Sequence, residues 1–195
     1  MSETSRPIVA RETALLIMDV QPSIVAMRDA QQGAGLLASL RMLRQAARDA
    51  GIMVLYVVVG FRAGHPEIGD ASPIFSQVKA HGRLVDEQVH PELEPGAGEV
   101  VVYKRRISAF SGSDLEVILR AHRIQHLVLT GIATSGVVLS TLRQAADLDY
   151  RLSVIDDCCL DADAQVHRVL MDKVFARQAD VMSADAFVHS LRRAT

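Results

Sequence analysis

Short, unbroken apolar runs separated by segments of helical spacing constrain this chain more than any other feature. The runs fall at residues 14–18, 53–59, 100–103, 127–130 and 152–155, with a weaker one at 180–182. A run that does not alternate with polar residues suits a strand covered on both faces. Between the runs, Leu36, Leu37, Leu40, Leu43 and Ala47 recur at three- and four-residue steps, as do Leu115, Ile118 and Leu119, then Val138, Leu142, Ala145 and Ala146. That spacing gives a helix one apolar face. Strands alternating with such helices predict parallel pairing through crossover connections. The expected fold is therefore α/β, a three-layer α/β/α sandwich with about six parallel strands in the order 3-2-1-4-5-6. No repeat, linker or shift in composition divides the 195 residues, so a single domain over 1–195 is expected.

Charge and cysteine usage narrow the class of partner. Lys and Arg total 21 against 23 Asp and Glu, a net charge of -2, and no stretch gathers more than three basic residues, which argues against nucleic acid or an anionic membrane as partner. No apolar run approaches the roughly 20 residues that span a bilayer, and the polar start, with Glu3 and Glu12, lacks a secretory core. Cys158 and Cys159 are adjacent and cannot staple distant parts of a fold, a usage that suits a reducing compartment. A cytoplasmic protein acting on a small molecule is the expectation. Residues 61–98 form the longest irregular stretch, broken only by weak helical spacing at 73–80, and insertions of that length usually wall or cover a pocket.

In an open parallel sheet, ligands sit beyond the carboxyl ends of the strands. Asp19 follows the first run, Phe61 and Arg62 the second, Lys104 the third, the turn 131–137 the fourth, and Asp156 to Cys159 the fifth. A carboxyl at the rim of an apolar strand has a raised pKa and suits an acid or base, although a helix cap or a salt bridge also places an Asp there. Lys104 could hold an anion or pair with Asp19, and a solvated basic turn is the plainer alternative for Arg105 and Arg106. The turn Gly131-Ile132-Ala133-Thr134-Ser135-Gly136-Val137 opens a helix whose free N–H groups could face an anion, but its glycines match no dinucleotide or phosphate loop. The seven histidines show no metal-ligand spacing and read mostly as surface or loop residues. No metal and no cofactor are expected, and Cys158 and Cys159 read as packing.

Together these segments resemble the isochorismatase-like hydrolases, a superfamily that includes nicotinamidases and other cysteine amidases. Ala14-Leu15-Leu16-Ile17-Met18-Asp19-Val20-Gln21 is similar to the family's opening strand, Lys104-Arg105-Arg106-Ile107-Ser108-Ala109-Phe110 to its Lys-x-Arg-x-Ser-Ala-Phe motif, and Leu129 to Thr134, continuing through Thr141, Ala145, Ala146 and Tyr150, to the turn and helix that carry the nucleophile. In the amidase branch a cysteine stands six residues after the glycine; here that position is Val137. Valine cannot form an acyl-enzyme. The resemblance implies a proton-donating Asp19 oriented by Lys104, with Gln21, Phe61, Arg62, Phe110, Ala133 and Thr134 around the substrate. It also implies a cis peptide between Ile132 and Ala133 and a homo-oligomer, a dimer or higher. The reading is a hydrolase acting on a small anionic metabolite without a cysteine nucleophile. Its rivals are a non-catalytic binding protein and an amidase with a displaced nucleophile, such as Ser135.

Overall fold

The structure, a computed structural model, describes residues 7–85 and 87–192. Its centre is a six-stranded parallel sheet in the order β3-β2-β1-β4-β5-β6, as the alternation predicted. The strands are β1 (Thr13–Met18), β2 (Met53–Val59), β3 (Val100–Lys104), β4 (His126–Ile132), β5 (Arg151–Leu160) and β6 (Asp180–Met182). β1 is buried at every residue, which is why its sequence does not alternate. The sheet's two faces support separate apolar clusters. Ala14, Leu16 and Met18 point to one, filled by Leu115 and Leu119 of α4 (Leu115–Ala121) and Leu142 and Ala145 of α5 (Leu139–Asp147). Leu15 and Ile17 point to the other, filled by Leu36, Leu37, Leu40, Leu43 and Ala47 of α2 (Ala30–Asp49) and by Phe187 of α7 (Ala184–Arg192). The single turn α1 (Pro22–Val25) precedes α2, which Asp29 caps, its Oδ1 accepting the N–H groups of Gln31 and Gln32 at 2.9 and 3.1 Å. These caps satisfy donors that the first helical turn leaves free.

The long segment after β2 contains the short helix α3 (Pro73–Ala80), where weak spacing had suggested one, and is tied back to the sheet's carboxyl end. The Phe61 N–H donates to the Leu84 carbonyl at 2.8 Å, the His90 N–H to the Val20 carbonyl at 2.9 Å, and Leu93 is fully buried. β5 departs from the sequence reading. Asp156 to Cys159 were expected in a loop, but the strand continues through them to Leu160. The pairing with β4 slips there: Leu129 faces Val154, whereas Gly131 faces Cys159. Three extra residues on β5 bulge outward, so Asp156 and Asp157 stay exposed inside a strand whose Cys158 and Cys159 remain buried. Asp157 Oδ1 uses its position to accept the Ala184 N–H at the start of α7, at 2.8 Å. No helix among the described residues is long and apolar enough to cross a membrane.

Candidate active site

Asp19 leaves the end of β1 in a left-handed conformation, φ 55°, which Asp tolerates better than most residues. Its N–H still donates to the Val57 carbonyl at 2.8 Å, so the turn begins without losing the sheet's last hydrogen bond. Lys104 ends β3, in register with Val59 of β2. Its side chain crosses the end of β2, and Nζ meets Asp19 Oδ2 at 2.9 Å. The ammonium also donates to the carbonyls of Arg106 and Ile107 at 3.0 and 2.9 Å, which uses all three of its protons. Asp19 is 6% exposed and Lys104 1%. The other Asp19 oxygen, Oδ1, is buried and has no hydrogen-bond partner. Burial pushes the Asp19 carboxyl up to about 6, against the opposing pull of the Lys104 charge and hydrogen bond and of the Val59 backbone. A buried ion pair of this kind is a poor source of stability. An orphaned oxygen on a carboxyl titrating near neutrality is what acid–base chemistry requires.

The other expected site residues divide into those at the strand ends and those turned elsewhere. Gln21 is held by protein: Oε1 accepts the Val59 N–H at 2.8 Å, while Nε2 donates to the Val59 carbonyl and to Glu87 Oε2, both at 3.1 Å. Ser23 donates to Glu87 Oε1 at 2.9 Å, so the long segment is latched beside Asp19. Phe61 is buried, its ring 6.0 Å from Phe75 and 5.6 Å from His65. Arg62 is exposed and pairs with Glu67 at 2.6 Å; Arg105 Nε also lies 3.6 Å from Glu67, and the Arg106 guanidinium sits over Phe75 at 5.3 Å. Phe110 belongs to the cluster beneath α4 and α5, with its ring 6.2 Å from Tyr150.

The turn after β4 is set by close contact. Gly131 has φ 133°, and a Cβ there would lie 2.0 Å from the Met18 carbonyl oxygen, so only glycine fits between β1 and β4. The Ile132–Ala133 peptide is cis, as expected. Residues Thr134–Val138 then make a wide helical turn, with the N–H groups of Gly136 and Val138 both directed to the Ala133 carbonyl at 3.0 and 3.3 Å. Val137 is 2% exposed and shares the apolar cluster that holds Met18, Ala109 and Phe110. Ser135 is exposed; its N–H donates to Asp161 Oδ2 at 2.7 Å. Thr134 is buried, with Oγ1 2.8 Å from His167 Nδ1, and His167 Nε2 is 2.7 Å from Asp156 Oδ1.

Sequence reasoning missed Glu87, Asp156 as a partner, Asp161 and His167, because nothing in local spacing ties them to the turns they support. It also placed most histidines at the surface. His65 and His126 are buried, and His126, at the opposite end of the sheet, lies 3.3 Å from Thr13 Oγ1 and 2.9 Å from Ser153 Oγ. Burial, then the charge of Arg151, pushes its imidazole down to about 4. Cys158 and Cys159 are buried, and burial raises both thiols far above their ordinary range. Among the described residues no group of three or more His, Cys, Asp or Glu side chains is placed to hold a metal ion.

The family described as "Isochorismatase domain" matches residues 13–186, nearly the whole chain. The chain belongs to the isochorismatase family. A ureidoacrylate amidohydrolase of Variovorax paradoxus strain S110 is 30% identical over 95% of this chain and 84% of its own length. Among solved structures, an isochorismatase family protein from Burkholderia thailandensis is 26% identical, with a TM-score of 0.82 over 96% of this chain and 100% of the other. A cysteine hydrolase from Pseudomonas syringae pv. phaseolicola 1448A is 22% identical, covers 100% of both chains, and shares the fold with a TM-score of 0.88. Asp19, Lys104 and Gly131 to Thr134 of this isochorismatase-family chain thus sit on three strand ends of a sheet shared with these structures.

Proposed function

We propose that this protein is a hydrolase of a small anionic metabolite, using Asp19 as proton donor and water, not a cysteine, as the attacking group. The observation that carries the reading is the buried Asp19–Lys104 pair with one Asp19 oxygen left free. Burial keeps that carboxyl protonated to higher pH than an exposed one, and Lys104 fixes its orientation. Arg62, Arg105 and Arg106 at the adjoining strand ends are three cations against the two carboxylates of Glu67 and Glu87, which favours a negatively charged substrate group. The ureidoacrylate amidohydrolase relative acts, by its name, on a substrate that carries a carboxylate.

For a vinyl ether R–O–C(=CH2)–R′ the steps balance without a covalent intermediate. The Asp19 proton adds to the terminal CH2, and the positive charge that forms on the ether carbon is shared with oxygen. Water adds to that carbon, loses a proton to the Asp19 carboxylate, and the hemiketal collapses to an alcohol and a ketone. Val137 offers no lone pair at the family's nucleophile position, which is consistent with this route. The test is turnover of a panel of anionic vinyl ethers and carbamoyl compounds. Asp19→Ala should lower kcat/KM by about a hundredfold or more, the scale for a positioned general acid, and thiol reagents should leave the rate unchanged. Binding without turnover, lost in Lys104→Ala, would instead identify a non-catalytic binding protein.

A further inference from the structure

The turn after β4 is gripped from outside by the segment that follows β5. His167 Nε2 lies 2.7 Å from Asp156 Oδ1, and Nδ1 lies 2.8 Å from Thr134 Oγ1. A carboxylate can only accept, so in the neutral imidazole Nε2 carries the proton and Nδ1 accepts the threonine's. Asp161 Oδ2 takes the next N–H along, that of Ser135. The chain of contacts runs from the fully buried Thr134 through His167, whose side chain is 22% exposed, to Asp156, which is 51% exposed.

Core packing does not account for this arrangement. His167 stands on α6 (Ala164–Val169), which buries none of its own residues and is anchored only through the turn that follows, by Met171 and Phe175, so the direction of the His167 side chain is left to its polar contacts. Asp156 reaches it only because the slipped pairing of β5 turns that residue outward. Thr134 is β-branched and has few χ1 states, so holding its hydroxyl also holds the backbone at the first residue of the turn. A hydroxyl left alone at that position would compete for nearby backbone groups.

We propose that His167, held by Asp156, is a positioning residue that fixes the turn 133–137 through Thr134. This rests on the reading above, in which that turn borders the reacting group. His167 touches no substrate. Its effect is on where the backbone of the turn places Val137.

The experiment uses Val137→Cys as a reporter, since the two native thiols are buried and poorly ionised. The rate of alkylation by iodoacetamide is measured against pH in Val137→Cys alone and combined with His167→Ala, His167→Asn or Thr134→Val. Hydrogen exchange of peptides covering 133–138 is followed in parallel. The expected result is slow alkylation of Val137→Cys, whose thiol is buried in the apolar cluster, quickened about tenfold at a given pH when His167→Ala or Thr134→Val loosens the turn. His167→Asn should keep most of the slow rate, because an amide at that point can still bond the Thr134 hydroxyl. Exchange of the turn should quicken about tenfold while β1 and β4 are unaffected. Identical alkylation rates with unchanged exchange would overturn the proposal, and so would exchange that quickens equally across the whole sheet. Wild-type turnover kept in Asp19→Ala, with turn exchange still dependent on His167, would overturn the acid–base site and leave the positioning role standing.

Discussion

At the scale of single residues, Asp19 and Lys104 are each tolerable only because of the other. Removing one partner of a buried pair strands the remaining charge, a loss of about 3–5 kcal/mol. Lys104→Met is therefore predicted to lower unfolding free energy by that amount, and adding Asp19→Asn to it should recover part of the loss in urea melts. The raised Asp19 carboxyl has a second consequence. Its folded value, about 6, lies above the ordinary 3.8, so the folded state binds the proton more tightly. Stability from this group is present at low pH and is lost as pH rises through the window between those values, by at most about 3 kcal/mol. Subtracting the stability profile of Asp19→Asn from that of the wild type should expose this slope; a flat difference from pH 4 to 6 would show that the carboxyl is not perturbed.

Among the elements, the turn after β4 shows most clearly how packing selects sequence. Gly131→Ala would drive a Cβ into the Met18 carbonyl in a conformation that L-residues avoid, and a loss of about 3 kcal/mol or more is expected, read from thermal or urea unfolding. β1 and β2 were legible because continuous apolar runs have few other uses, and α2 because its apolar positions, Leu36 to Ala47, repeat over about three turns. β5 was legible only in its first half, 152–155: Asp156 and Asp157 look like the start of a loop, and only the slipped pairing with β4 lets two exposed acids sit inside a strand. The same slip hid half of the site's support. Asp19 and Lys104 announced themselves by position, directly after strands. His167 and Glu87 did not, since each meets its partner, Thr134 or Gln21, across a distance that no local pattern encodes. Phe110 illustrates the reverse case, an aromatic next to a site motif whose ring packs among the helices beside Tyr150.

For the molecule as a whole, the order β3-β2-β1-β4-β5-β6 gathers three strand ends, those of β1, β3 and β4, at one edge of the sheet, with the segment after β2 latched over them. The homo-oligomer implied by the family resemblance remains a proposal; it predicts a light-scattering mass of two or more chains at micromolar concentration, and a mass of one chain would count against it. The central claim is that Asp19 gives up a proton in the reaction. It is tested most directly by the pH dependence of kcat/KM for a substrate that is turned over. A donor with a folded value of about 6 predicts a plateau below that pH and a tenfold fall for each unit above it, with the limb absent from the residual activity of Asp19→Ala. A rate that rises through pH 6 would make Asp19 a base and contradict the account.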